Sequence, residues 1–369
     1  MTERRDRLSR AGNWSLTAGV ALVVILLLLL AAEGAIRIRQ TIKYGAAATV
    51  EDLYTMDARS GLRVPVVGSH YSGRITVNSL GFRGPELATP KPPGTVRLAF
   101  LGASTTWCGE VSGDDRTWPH LVTAALRAAF PGVKLDYLNA AVPGYTVRSS
   151  LRNLEVRVAP LKPDVVIIYE GANDLSGEMR ELAFKQGLIR DAKISERSWL
   201  ARQSLLWNLV EKNLEVLSAQ NDARANIGRL QVDVAALGLG FRRDLISLVE
   251  AAKKEAKVVA IATFSIQPRP NQDKEQQLRA SASALYYMPF IAPETLIAAY
   301  ARYNEVIRQV AKETGVLLID EVDSIPGDAR HFADTVHFTD SGSELMARRV
   351  VRALQPQQIL ARDQPGRGH

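Results

Sequence analysis

The chain has a single cysteine, Cys108, in 369 residues. No internal disulfide is possible, so cysteine pairing says nothing of the compartment. Free cysteine is among the most buried residue types, and Cys108 is expected as a small core hydrophobe. The sequence also lacks a P-loop, a His-Glu-x-x-His pair and a cysteine cluster. The glycine pair Gly238 and Gly240 has no third glycine and follows no strand, so it is not a dinucleotide fingerprint. Neither a metal nor a cofactor is implied. Internal repeats with periods of 20–50 residues are missing, as are low-complexity tracts.

Excess charge is also scarce over most of the chain. The net charge is +7, but residues 1–43 hold seven basic and three acidic side chains, which leaves +3 for the other 326. Basic clusters interleaved with aromatics are not evident, so nucleic acid is not an expected partner.

What the N-terminus has in quantity is apolar length. Between Arg10 and Glu33 lie 22 uncharged residues, including "VALVVILLLLLAA". As a helix this run spans roughly 33 Å, enough for a bilayer core. Arg4, Arg5, Arg7 and Arg10 precede it; Arg37, Arg39 and Lys43 follow. The bias favours a cytoplasmic N-terminus. The small residues in "LLAAEGA" make a cleaved signal peptide the competing reading, but the run is longer than a usual signal core. The expectation is a cytoplasmic segment 1–12, an uncleaved membrane anchor 13–35, and a periplasmic or extracellular remainder.

Residues 36–94 read as a connecting region. Within it "SGRITVNSLGFRGPE" alternates apolar and polar residues and predicts a small hairpin or edge strand, and "ATPKPPGT" is a proline-rich linker. Then a rhythm begins. Short β-branched runs at 96–102, 133–140, 164–171, 257–265 and 315–322 alternate with helix-period segments at 118–130, 147–159, 241–256 and 293–313. A last helix, 341–354, opens with a candidate capping box, Ser341 to Glu344. Continuous apolar strands separated by helices predict a parallel sheet covered on both faces, a three-layer α/β/α domain over 95–357. A helical insertion, 175–235, interrupts the rhythm as one long helix or two, packed on the domain or serving as a lid or membrane-facing element. Residues 358–369 read as a flexible tail.

Sites in such sheets form beyond the carboxyl ends of the strands. There the sequence places four polar devices: "GAST" with Ser104, "NAAVPGYT" with Gly144, "GAND" with Asn173, and "ADTVHFTDSG" with Asp334 and His337. A serine hydroxyl needs an adjacent base, histidine suits that task, and a carboxylate orients the imidazole. Asp334 lies three residues before His337, so one turn brings them together. A tetrahedral oxyanion needs donors, and Ser104 N–H, Gly144 N–H and the Asn173 amide are candidates. His331 is the rival to His337, because it too lies three residues from Asp334. His70 lies in the connecting region, His120 opens a helix, and His369 ends the chain.

These four blocks, in this order, resemble the SGNH/GDSL hydrolase family. The resemblance covers roughly 95–355 and implies a flavodoxin-like fold with a five-stranded parallel sheet in the order 2-1-3-4-5. It implies a catalytic triad of Ser104, His337 and Asp334, the last in the family's Asp-x-x-His arrangement. It also implies an oxyanion hole from Ser104, Gly144 and Asn173. "VNSLGFRGPE" is similar to membrane-anchored bacterial members. One departure stands out: the family's first block is usually Gly-Asp-Ser, whereas here it is Gly102-Ala103-Ser104, similar to a branch with Gly-x-Ser-Thr-Thr.

The function so implied is a serine esterase cleaving a short acyl ester, such as acetyl, from a carbohydrate or lipid substrate outside the cytoplasm. Two alternatives differ in chemistry: an O-acyltransferase on an envelope or secreted polysaccharide, and a non-catalytic binding module on the same fold. Tyr286, Tyr287 and Phe290 in "ASALYYMPF" are candidates for core aromatics or for the cleft wall.

Overall fold

The computed structural model of the protein describes residues 2–44, 51–71, 73–189, 198–226 and 228–357. The 358–369 tail, His369 and part of the 175–235 insertion lie outside the described residues. The chain divides into two compact units, Met1–Glu51 with Ser195–Glu215, and Asp52–Ile194 with Val216–His369.

The first unit is built on helix α1 (Thr2–Tyr44). Its stretch Thr17–Ile42 has a mean hydropathy of 2.6 and is long and apolar enough to cross a membrane, as membrane anchors and signal sequences both are. Glu33 ends the uncharged run. Its carboxylate accepts from Ser204 Oγ (2.8 Å) and from the N–H groups of Leu205 (3.1 Å) and Leu206 (2.8 Å). These are orphan donors at the start of a later helix.

The second unit begins with two hairpins. Strands β1 (Tyr54–Asp57) and β2 (Leu62–Pro65) pair antiparallel, as do β3 (His70–Tyr71) and β4 (Ile75–Thr76). The second overlaps the start of the stretch expected to form a small hairpin or edge strand; the first lies in residues read only as connection.

The main sheet then builds in sequence. Its strands are β5 (Thr95–Gly102), β6 (Lys134–Asn139), β7 (Val165–Tyr169), β8 (Val258–Ala262) and β9 (Leu317–Ile319). All pairings are parallel and the order is β6-β5-β7-β8-β9, the 2-1-3-4-5 order expected. All five residues of β7 are buried, which is why its sequence is an unbroken apolar run.

The helices between strands are α2 (Ser104–Trp107), α3 (Trp118–Ala129), α4 (Val147–Asn153) and α5 (Ala172–Lys185). Next come α6 (Trp199–Gln203) and α7 (Leu205–Asn226), so the stretch "SWLARQSLLWNLVEKNLEVL" of the insertion is two helices, broken at Ser204, while α5 occupies the start of the insertion. The rest are α8 (Leu239–Glu255), α9 (Lys274–Ala280), α10 (Ala282–Tyr287), α11 (Pro293–Thr314) and α12 (Asp340–Leu354). α3 packs with α12, and α8 packs with α4 and α11, so helices cover both faces of the sheet.

Two local expectations are corrected. The run 147–159 is not one helix: α4 ends at Asn153 and continues as a wider π turn, Leu154–Val158. The cap of α12 is not Ser341. The helix starts one residue earlier, and Thr339 caps it by accepting from Gly342 N–H.

Stacked aromatics hold the layers together. Tyr169 stacks on Phe264 at 4.7 Å, and Phe100 meets Trp118 edge-on at 5.1 Å. The chain leaves β5 toward β6 on one side and returns to β7 on the other. The crevice at the carboxyl ends of β5 and β7 is therefore the topological switch point.

Candidate active site

Ser104 stands at the tip of β5, where the strand turns directly into α2. The turn requires Gly102. A Cβ there would lie 2.2 Å from Thr106 Oγ1 and 2.8 Å from Tyr169 O, so only glycine fits. As the first residue of α2, Ser104 has an N–H with no partner inside the helix.

The far end of α2 is fixed by Arg83, buried in the segment before the domain. Its Nη1 donates to Trp107 O and Cys108 O, both at 2.6 Å, and its Nε donates to Asp114 at 2.7 Å. A cation at carbonyl groups that end a helix is electrostatically favourable. Cys108 itself is buried, and burial pushes its thiol up to about 12.

The loop after β6 is stitched to the first. Asn139 Nδ2 donates to Thr106 O (2.8 Å), and Val142 N–H to Gly102 O (3.3 Å). Ala103, Val142 and Tyr145 form a small apolar cluster against Tyr54 and Leu62 of the first hairpin. Gly144 takes φ of 87°, the left-handed region that glycine permits.

The loop after β7 clasps the previous one. Asn173 Nδ2 donates to Tyr145 O at 2.7 Å, leaving its second amide hydrogen for other use. Asp174 accepts from Val147 N–H at 3.3 Å. Beside it Glu170 is fully buried and accepts from Ser150 Oγ at 2.5 Å. Burial raises the Glu170 carboxyl well above its ordinary range, and the Asp174 charge adds to this. Burial likewise pushes Asp174 up to about 7.

The fourth element is the loop before α12. His337 Nε2 lies 2.8 Å from Ser104 Oγ, across 233 residues of chain. His337 Nδ1 lies 2.8 Å from Asp334 Oδ2. Asp334 Oδ1 also accepts from the N–H groups of Val336 (2.9 Å) and His337 (3.0 Å). Burial opposes charge on both groups. It is outweighed in each by their mutual hydrogen bond and charge, with Glu110 also acting on His337. The carboxyl is held below its usual range and the imidazole above it.

His331, the rival, does not meet Asp334. Its Nδ1 lies 2.8 Å from Asp328 Oδ1 instead. Of the three aromatics in 282–290, Phe290 is in the core, while Tyr287 is half exposed and feels the Asp334 charge. Among the described residues no cluster of three or more His, Cys, Asp or Glu is arranged to hold a metal ion.

Sequence reasoning missed four residues around this site. Arg63 and Arg83 come from segments that read as connection, Glu110 from the loop after α2, and Glu170 from the end of β7. Only Arg83 had a signal: it lies between the two glycines of "GFRG". The others act through contacts distant in sequence.

The chain is similar to several solved structures. A single-residue variant of Axe2, an acetyl xylan esterase from Geobacillus stearothermophilus, is 20% identical with a TM-score of 0.44, over 70% of this chain and 94% of that one. Unsubstituted Axe2 is 18% identical with a TM-score of 0.43, over 71% and 95%. LAE5, an α/β hydrolase enzyme from the metagenome of Lake Arreo, Spain, is 19% identical with a TM-score of 0.43, over 70% and 95%. No curated protein matches the sequence significantly. The model of the GDSL-like lipase/acylhydrolase family matches residues 100–345, a stretch that runs from β5 into α12 and contains Ser104, Gly144, Asn173, Asp334 and His337. The chain therefore belongs to the GDSL-like lipase/acylhydrolase family of ester-hydrolysing enzymes.

Proposed function

We propose that the protein is a serine esterase that works through an acyl-enzyme, with Ser104 as nucleophile. The observation that carries this is the unbroken line Ser104 Oγ–His337 Nε2 and His337 Nδ1–Asp334 Oδ2, each link 2.8 Å. Ser104 Oγ attacks the ester carbonyl carbon while His337 Nε2 takes its proton. The tetrahedral oxyanion is met by Ser104 N–H, Gly144 N–H and the free amide hydrogen of Asn173. The bond to the alcohol breaks, and His337 returns its proton to the departing oxygen. A water then repeats the sequence and releases the acid. Asp334 keeps Nδ1 protonated and stabilises the imidazolium.

The proposed substrate is a short acyl ester, acetyl in the simplest case, on a carbohydrate or lipid. The proposed location is outside the cytoplasm, with the N-terminal helix as membrane anchor. Its support is the apolar stretch Thr17–Ile42 and the arginines before it. The mass of the membrane-extracted protein distinguishes an anchor from a cleaved signal.

The catalytic reading is tested with the full chain in detergent on 4-nitrophenyl acetate. Ser104→Ala is expected to stay folded and lose at least about a thousandfold in kcat. An active-site phosphonate is expected to label Ser104 in the wild type. Full activity in Ser104→Ala sinks the assignment.

A further inference from the structure

The oxyanion role of Gly144 depends on which way one peptide group faces. Residues 142–145 form a β-turn, with Tyr145 N–H donating to Val142 O at 3.1 Å. Pro143 is its second residue and Gly144, at φ 87°, its third. Proline followed by a residue of positive φ is the type II form. Types I and II differ by a flip of the central peptide, here Pro143–Gly144, and glycine in third position allows both. A flip would turn the Gly144 N–H to the opposite side of the loop.

One side chain grips this peptide by its other end. Arg63 Nη2, from β2, donates to Pro143 O at 2.8 Å. A planar trans peptide carries its C=O and N–H on opposite edges, so fixing the oxygen fixes the direction of the N–H. Arg63 is itself held. Its guanidinium carbon lies 4.5 Å from the centre of the Tyr54 ring, and its backbone oxygen accepts from Tyr145 OH at 2.7 Å. Among the described residues no carboxylate pairs with Arg63. A charged donor on the carbonyl polarises the amide and strengthens its N–H as a donor in turn.

We propose that Arg63 is a positioning residue for the reaction: it locks the Pro143–Gly144 peptide in its type II orientation and polarises the Gly144 N–H toward the oxyanion. The hairpin that supplies it lies before residue 100, outside the stretch matched by the family model. The proposal rests on the reading of Gly144 as an oxyanion donor.

The test compares Arg63→Ala and Arg63→Lys with the wild type, each as the full chain with its Tm measured. Hydrolysis of 4-nitrophenyl acetate gives kcat and KM, and an alkyl boronic acid, which adds to a serine as a tetrahedral anion, reports on the oxyanion site. Arg63→Ala is expected to lower kcat about ten- to a hundredfold, less than loss of a direct donor, with KM changed little. Boronic acid affinity should fall in parallel. Arg63→Lys keeps one charged donor and should recover most of both, and added guanidinium ion should partly rescue Arg63→Ala. Arg63→Ala within twofold of wild-type kcat overturns the proposal. So does an equal loss in both variants that follows Tm rather than boronic acid affinity. Asn173→Ala and Ser104→Ala run beside them. If those two lose activity and Arg63→Ala does not, only the Arg63 role fails; if Ser104→Ala stays active, the catalytic reading fails with it.

Discussion

The loop before α12 contains the same device twice. "DARHF" at 328–332 and "DTVHF" at 334–338 both read Asp-x-x-His-Phe. In each, the aspartate accepts from the backbone N–H of the second and third residues after it, and the histidine Nδ1 lies 2.8 Å from the carboxylate. The two phenylalanines are buried, and Phe332 and Phe338 form an antiparallel bridge. Local geometry does not separate the copies. What separates them is the third group: Nε2 of His337 meets Ser104, and among the described residues no serine meets His331. The aspartate–histidine pair is a structural turn that any chain can make. In the proposed mechanism its chemistry comes from a partner 233 residues away, delivered by the sheet.

This contrast is most directly broken by removing each histidine in turn. If His337 is the base we propose, His337→Ala is expected to lose at least about a thousandfold in kcat, because among the described residues no other base meets Ser104 Oγ. His331→Ala is expected to stay within about twofold in kcat and to show its loss in Tm instead. Equal activity losses from the two variants would erase the distinction.

A smaller effect is expected from the donor side. Asn173→Ala should cost about a hundred- to a thousandfold in kcat, the range for one oxyanion donor, with KM nearly unchanged. A rise in KM alone would make Asn173 a binding residue.

Charge around His337 sharpens the contrast further. Glu110 helps to raise the His337 imidazole, and the base we propose works only when neutral, so activity is expected to rise with pH through its titration. Glu110→Gln lowers that titration, and the acid limb of kcat/KM should move to lower pH. Glu110 is exposed, so the shift should shrink in high salt. An unmoved limb would assign the rise to Asp334 alone.

The smallest effect concerns Glu170 and Asp174, carboxylates that are pushed up where Asp334 is held down. A carboxyl raised on folding contributes stability at low pH that is lost as pH rises through its folded value, here toward about 7 for Asp174. Glu170→Gln should therefore raise Tm more at pH 8 than at pH 5. A uniform change across that range would show that the pair does not titrate with folding.

The sheet was legible because its strands are buried on both faces and so read as unbroken apolar runs, Val165–Tyr169 most clearly. The candidates Ser104 and Asn173 stood out because each follows such a run, and Gly144 because it follows the edge strand Lys134–Asn139. Spacing alone left His331 and His337 level, since both lie three residues from Asp334; the family resemblance pointed to His337, whose Nε2 lies beside Ser104 Oγ. The first hairpin went unread because β1 and β2 are only four residues each, too short for the alternation in "YTMD" and "LRVP" to stand out from the surrounding connection. With it went Arg63, whose place beside Pro143 depends on the fold rather than on neighbours in sequence. The Ser341–Glu344 cap failed because Thr339, two residues upstream, satisfied the helix first.

The buried thiol has a practical consequence. With Cys108 fully enclosed and its thiol held in the protonated form, the folded protein offers alkylating and oxidising reagents nothing to attack at its one native sulfhydryl. A cysteine introduced on the surface would then be the sole reactive handle. Fluorophores, spin labels or crosslinkers could be attached one per molecule without first stripping the native residue from the core.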